Sequence, residues 1–209
     1  MVSLSNKKFT TCFIFLLTLI CWGLAYPASA RAPIVIVESP IVKNGDRVFT
    51  DLIKDQYQKP IYVQIDSINV KARVEEVSIN EDGSMGVPKN FNNVAWLHNS
   101  SKAGQIGNLV ISGHYDFPGG SAAIFYNLAN VSIDDTVYVT TLVNNAVENT
   151  KKYIIVSKFL ADPNNNDHIQ EAYKDTKEPT ITLITCNGVW DSVKHEYSHR
   201  VVIKGELVN

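Results

Sequence analysis

Cys186 is the one cysteine of this 209-residue chain that lies outside an N-terminal apolar stretch holding Cys12 and Cys21. It closes the β-branched run "TITLITC" and is followed by "NGVW". A thiol there reads either as a small buried hydrophobe or as a nucleophile, and a nucleophile needs a proton-transfer partner and a group that stabilises an oxyanion. Of five histidines, His114 has the context of such a partner: the apolar run "LVISG" precedes it and the loop "YDFPGG" follows. A strand end then fixes its backbone while the loop leaves the imidazole open to a cleft. His98 and His168 stand in polar, asparagine-containing surroundings and read as solvated. Arg200 opens "RVVIKGEL". If the strand ending at Cys186 and the strand beginning at Arg200 are antiparallel neighbours, the two residues lie side by side, and the guanidinium offers donors to an oxyanion or a substrate carbonyl. An arginine paired with Glu196 at a strand edge is the plainer alternative.

Cys186, His195 and His199 also form a three-ligand set of the kind that makes an open zinc site. The histidines run into a strand, however, where residues four apart share a face but stand too far apart to meet on one ion. The sequence therefore calls for no metal and no cofactor.

The compartment sharpens the question of the thiol. Lys7 and Lys8 precede the apolar segment "FTTCFIFLLTLICWGLAYPASA", which ends in the small residues Ala28, Ser29 and Ala30. Residues 1–30 read as a secretory signal cut before Arg31, or as a retained N-terminal membrane anchor, since the segment is close to the ~18 apolar residues that cross a bilayer. Either way the protein is expected outside the cytoplasm, where an unpaired thiol is exposed to oxidation and mispairing. A net charge of −2 with 45% hydrophobic and 19% charged residues is ordinary globular usage. It offers no basic patch for nucleic acid.

Residues 31–59 read as a lead-in or stalk, and residues 60–209 as one domain large enough for a real core. Period-two patterning rich in Val, Ile, Thr and Tyr recurs in "IYVQIDSINV", "ARVEEVSIN", "NLVISGHYD", "DTVYVTTLV", "KKYIIVSKFLA", "TITLITC" and "HRVVIKGEL", each read as a strand. Helical signals are few: "SAAIFYNLANV", and "NNDHIQEAYKD" with an Asn or Asp cap. Many strands with little helix predict a mostly β fold, a closed barrel or a sandwich.

Taken in order, "SGHYD", "TLITC" and "HRVVI" resemble the His, Cys and Arg motifs of sortases, the cysteine transpeptidases of bacterial surfaces. The T-L-x-T-C element at Thr182, Leu183, Thr185 and Cys186 is the specific one. The similarity extends over "PIYVQIDSINVKARVEEV", "DGSMGVPKNFNNVAWL" and "AGQIGNLVISGH", so it spans about Pro60 to Leu207. Histidine precedes cysteine, the reverse of papain-like peptidases, and the serine-histidine-glycine-cysteine element of L,D-transpeptidases is absent.

The resemblance implies an eight-stranded sortase-type β-barrel with a few short helices, Cys186 and Arg200 on adjacent strands and His114 across the cleft. It implies that Cys186 attacks an LPxTG-like sorting signal to give a thioacyl intermediate, that His114 exchanges protons with the leaving and incoming amines, and that Arg200 positions the peptide and stabilises the oxyanion. Thr185 is expected to line the peptide groove, and the loop from Ala161 to Pro179 to shape recognition. The implied partners are a surface protein's sorting signal and an amine acceptor, either a cell-wall precursor or another surface protein. The apolar N-terminus fits an N-terminally anchored layout like that of classes D to F. A hydrolase-leaning member of the fold and a catalytically silent peptide-binding domain are the alternatives.

Overall fold

Alternating apolar residues form a barrel only if every strand turns the same parity inward. The computed structural model describes residues 58–143 and 147–208 and shows this arrangement. Its strands are β1 (Pro60–Ile65), β2 (Val70–Val77), β3 (Val94–Leu97), β4 (Gly107–Gly113), β5 (Thr136–Val143), β6 (Val147–Ala161), β7 (Pro179–Asp191) and β8 (Glu196–Val208). They close in the order β1-β2-β3-β4-β7-β8-β6-β5, with β5 pairing back onto β1. The expected leader and most of the lead-in, residues 1–57, lie outside the described residues. No helix among the described residues is long and apolar enough to cross a membrane.

Leu109 and Ile111 of β4, Ile181 and Leu183 of β7, and Val201 and Ile203 of β8 are all buried in the interior. The residues between them face outward. Val110, Ile184 and Val202 join Leu97, Ala161 and Ala172 in a second apolar cluster on the outer surface. Both faces of β4, β7 and β8 are therefore apolar, one for the core and one for whatever lies on the outside.

Three local expectations change. "IYVQIDSINV" is two strands, because a 3₁₀ turn at Asp66–Ile68 ends in Asn69 at φ 55° and reverses the chain into β2. Asparagine tolerates that left-handed geometry. "VAWL", four residues without alternation and buried throughout, is β3. The helix expected in "SAAIFYNLANV" is reduced to a 3₁₀ turn at Leu128–Asn130. Phe125 and Leu128 are fully buried, and the backbone bonds Phe125 N–H to His114 O and Ala123 N–H to Tyr115 O tie this segment to the loop after β4. Those tertiary bonds prevail over weak helical spacing.

The second expected helix is present as α1 (Asn166–Tyr173), capped by Asn165, whose side-chain oxygen accepts from the N–H groups of Asp167 and His168. It is fastened to the outer face of the barrel. Asn108 Nδ2 donates to the carbonyls of Ala172 (3.1 Å) and Lys174 (3.2 Å), Thr182 Oγ1 donates to Asn108 Oδ1 (2.8 Å), and Lys204 pairs with Glu171.

Candidate active site

β4 and β7 are parallel neighbours whose register ends at Ser112↔Ile184. Two residues further along each strand stand His114 and Cys186, so parallel pairing delivers both to the same end of the barrel. β8 runs antiparallel to β7, and Cys186 is the direct cross-strand partner of Arg200. By alternation from the outward Ile184 and Val202, both side chains belong to the outer face. The three residues singled out in the sequence thus stand toward one end of the barrel, Cys186 and Arg200 on adjacent strands and His114 just past the end of β4.

The hairpin between β7 and β8 differs from the expected long loop. Pairing continues through Asn187↔His199 to Trp190↔Tyr197 and Asp191↔Glu196, with a bulge between Asn187 and Trp190. Gly188 makes the bulge at φ +90°, where an added Cβ would come within 2.3 Å of Ser198 Oγ. The positive φ disfavours a side chain at this position, and one placed there would also push Ser198 Oγ aside.

Cys186 is a free, half-buried thiol. Burial pushes its pKa above the ordinary range, the Arg200 guanidinium pulls it down, and the carboxylates of Asp116 and Glu196 push it up. The thiolate is a minority species at neutral pH. Arg200 donates through Nη1 to the carbonyls of Tyr197 (2.7 Å) and His199 (2.9 Å). These bonds anchor the fork, and neither its Nε nor its Nη2 is hydrogen-bonded among the described residues.

His114 stacks on Phe91 (centroids 4.1 Å apart, 21° between planes), and Phe91 stacks on Phe117 from its other side. The His114 Nε2 lies 2.9 Å from the carbonyl oxygen of Pro88. A carbonyl oxygen only accepts, so Nε2 carries a proton and Nδ1 is left as the nitrogen that exchanges one.

Thr185, expected to line the groove, is instead 3% exposed and donates through Oγ1 to the Gly113 carbonyl (2.9 Å). It clamps β7 to β4 immediately before the cysteine and the histidine. Gly113 matters for the same reason. An added Cβ would approach Phe125 Cδ2 to 2.6 Å, so Gly113→Ala is expected to lower stability by about 2 kcal/mol through overpacking. Denaturant unfolding measures this, and an unchanged midpoint would show that Phe125 yields freely.

His195 lies edge-on to Trp190 and His199 bonds Ser198 Oγ. Among the described residues no group of three His, Cys, Asp or Glu side chains is arranged to hold a metal ion.

Sequence reasoning missed a cavity on the outer face of the barrel. A cavity of about 280 Å³ lies against the outer face, its lining divided between apolar residues such as Leu97, Val110 and Tyr173 and polar ones such as Ser100, Asn108 and Asp175. The signal was present in the doubly apolar run "NLVIS": Val110 faces outward, where a strand on a bare barrel would carry a polar residue. From Val110 to the level of His114 is four residues of β4, or about 13 Å at ~3.3 Å per residue. Between them lies Ser112, whose Oγ is buried without a hydrogen-bond partner among the described residues.

The structure is a closed eight-stranded β-barrel carrying a cross-strand Cys186–Arg200 pair, with His114 just past the end of the neighbouring strand β4. A family model for the sortase domain matches residues 63–208. The chain belongs to the sortase family. Solved structures with the same fold include sortase A of Listeria monocytogenes (22% identity, covering 72% of this chain and 88% of that one, TM-score 0.53). Sortase C-1 of Actinomyces oris is similar at 24% identity, covering 72% of this chain and 76% of that one, with a TM-score of 0.54. The sortase D5 transpeptidase of Clostridium perfringens is 19% identical, covering 79% of this chain and 91% of that one, with a TM-score of 0.52. No curated protein matches the chain. Sortases are cysteine transpeptidases that act at the cell surface on sorting-signal peptides and amine acceptors.

Proposed function

We propose that this protein is a transpeptidase that cleaves an LPxTG-like sorting signal through a thioacyl intermediate on Cys186 and transfers the acyl group to an amine, in surface-protein anchoring or pilus assembly. The observation that carries this reading is the cross-strand pair Cys186↔Arg200 with His114 at the end of the neighbouring β4. An extended peptide advances ~3.3 Å per residue, so a leucine in the cavity at Leu97 and Val110 places the carbonyl three residues later about 10 Å further on, near the thiol.

The Cys186 thiolate attacks the carbonyl of the signal's threonine, and Arg200 bonds the oxyanion through Nε or Nη2. His114, protonated, gives its Nδ1 proton to the departing amine. The resulting thioester conserves the free energy of the cleaved amide, so an amine can capture the acyl group without ATP. The substrate partners are a surface protein's signal and an amine on a cell-wall precursor or another surface protein, met outside the cytoplasm by an enzyme released or anchored through its N-terminal segment.

Incubating the full chain with LPxTG-like peptides, with and without triglycine, and following products by mass spectrometry tests the proposal. A ligated product is expected. Cleavage that ignores triglycine and other amines would make the protein a hydrolase, and no reaction across the series would leave a silent peptide-binding domain.

A further inference from the structure

The carboxylate of Asp116 is placed where it harms the nucleophile. It lies in the loop two residues beyond His114, and its charge pushes the Cys186 thiol toward its protonated form. Among the described residues it pairs with no lysine, arginine or histidine. Its one side-chain hydrogen bond comes from the Tyr197 hydroxyl, which donates to Oδ2. That bond is also the first cause pushing the Tyr197 phenol up to about 12, so the hydroxyl stays protonated. An unneutralised anion beside a thiol that must ionise needs a compensating use.

Its position indicates one. β4 and β7 run from the groove at Val110 and Thr182 toward His114 and Cys186, and continue past them into the loop carrying Asp116 and the hairpin carrying Trp190. Asp116 therefore lies beyond the thiol, on the side away from the signal groove, where the leaving amine departs and an acceptor arrives. The Tyr197 ring that holds it belongs to an aromatic cluster, and Tyr115 of that cluster also feels its charge. Tyr197 meets Tyr115 edge-on at 5.5 Å and Trp190 edge-on at 5.1 Å, and Tyr115 stacks on Tyr126 at 4.7 Å. Trp190 is 49% exposed and open to an incoming molecule. A carboxylate held by a phenol at the edge of an exposed aromatic cluster is a receptor for an organic ammonium group.

We infer that Asp116, oriented by Tyr197 at the edge of the cluster Tyr115, Tyr197 and Trp190, is the docking point for the protonated amine of the acceptor. The inference rests on the transpeptidase reading above. At neutral pH the acceptor arrives as R–NH₃⁺, with its charge matched by Asp116. His114 Nδ1 takes one proton, and the freed amine attacks the thioester carbon. The C–N bond forms, the C–S bond breaks and the electron pair returns to sulfur. The amide nitrogen then gives up a second proton, which the Cys186 thiolate takes, and His114 passes its own to solvent. Asp116 binds and orients; it does not itself accept the proton.

The test is the partition of the acyl-enzyme between acceptor and water, measured within each variant for the full chain and an LPxTG-like peptide. Acceptors are triglycine, Nα-acetyl-lysine amide and hydroxylamine, the last uncharged at pH 7. Asp116→Asn keeps the shape and the contact with Tyr197 but removes the charge. It is expected to lower the ligation-to-hydrolysis ratio about tenfold for the two ammonium acceptors, through a raised acceptor KM, while the hydroxylamine ratio changes less than twofold. Tyr197→Phe, which keeps the ring and frees the carboxylate, is expected to change the ammonium ratios in the same selective way by a smaller factor. An equal fall for hydroxylamine would make Asp116 a strut between loop and hairpin, and unchanged ratios would remove it from the acceptor site. If mass spectrometry finds no acyl group on Cys186 with any peptide, the transpeptidase reading itself fails and takes the inference with it.

Discussion

Cys186→Ala forms no acyl-enzyme, and both peptide cleavage and ligation fall by ~10⁴-fold or more, because no other group near the site can replace the nucleophile. The substitution removes one sulfur from a half-buried position outside the barrel's interior, so thermal unfolding is expected to stay close to that of the parent. Turnover by the Cys186→Ala protein within tenfold of the parent would exclude covalent catalysis at this residue. The same thiol predicts a pH dependence. Burial raises its pKa, the neutral form dominates at pH 7, and the thiolate fraction grows about tenfold per pH unit until the raised pKa is reached. Alkylation of Cys186 by iodoacetamide, followed by peptide mapping, should climb accordingly. A rate already on its plateau at pH 7 would show a thiolate stabilised by more than Arg200.

How much of the fold and the site is legible in the sequence follows from how local each signal is. Cys186 and Arg200 sit next to β-branched runs and His114 follows a strand-ending glycine, and adjacency of Cys186 and Arg200 is a hairpin property. The groove was not legible. It depends on the parallel pairing of β4 with β7 and on α1 folding over Val110 and Ile184, long-range contacts that leave no periodic trace of their partner. Thr185 shows how sharp the limit is: its neighbour faces outward, and a shift of one residue along a strand turns a groove-lining hydroxyl into a buried clamp. The bond from Tyr197 to Asp116 joins residues 81 apart, and neither looks unusual in its own stretch.

Arg200 carries the second large effect, and its two jobs have to be separated. One is electrostatic: its charge pulls the thiol pKa down. The other is geometric: Nη1 is held by the carbonyls of Tyr197 and His199, which fixes the guanidinium and leaves Nε and Nη2 as donors for an oxyanion. Arg200→Ala loses both, and kcat/KM for the signal peptide is expected to fall about 10³-fold, the scale of removing an oxyanion donor. Arg200→Lys keeps a positive charge but has one nitrogen where the guanidinium has three, so it cannot bond the two carbonyls and the oxyanion in the same planar arrangement. A loss of about 10²-fold is expected there. The alkylation profile of Cys186 distinguishes the contributions, since it reports the thiol's ionisation without any oxyanion. In Arg200→Ala the profile moves to higher pH, and in Arg200→Lys it stays nearer the parent. A lysine variant with parental alkylation and a hundredfold loss of turnover assigns the fork to the transition state. If both variants keep kcat/KM within threefold of the parent, Arg200 is only a hairpin anchor and the oxyanion must be held by other donors.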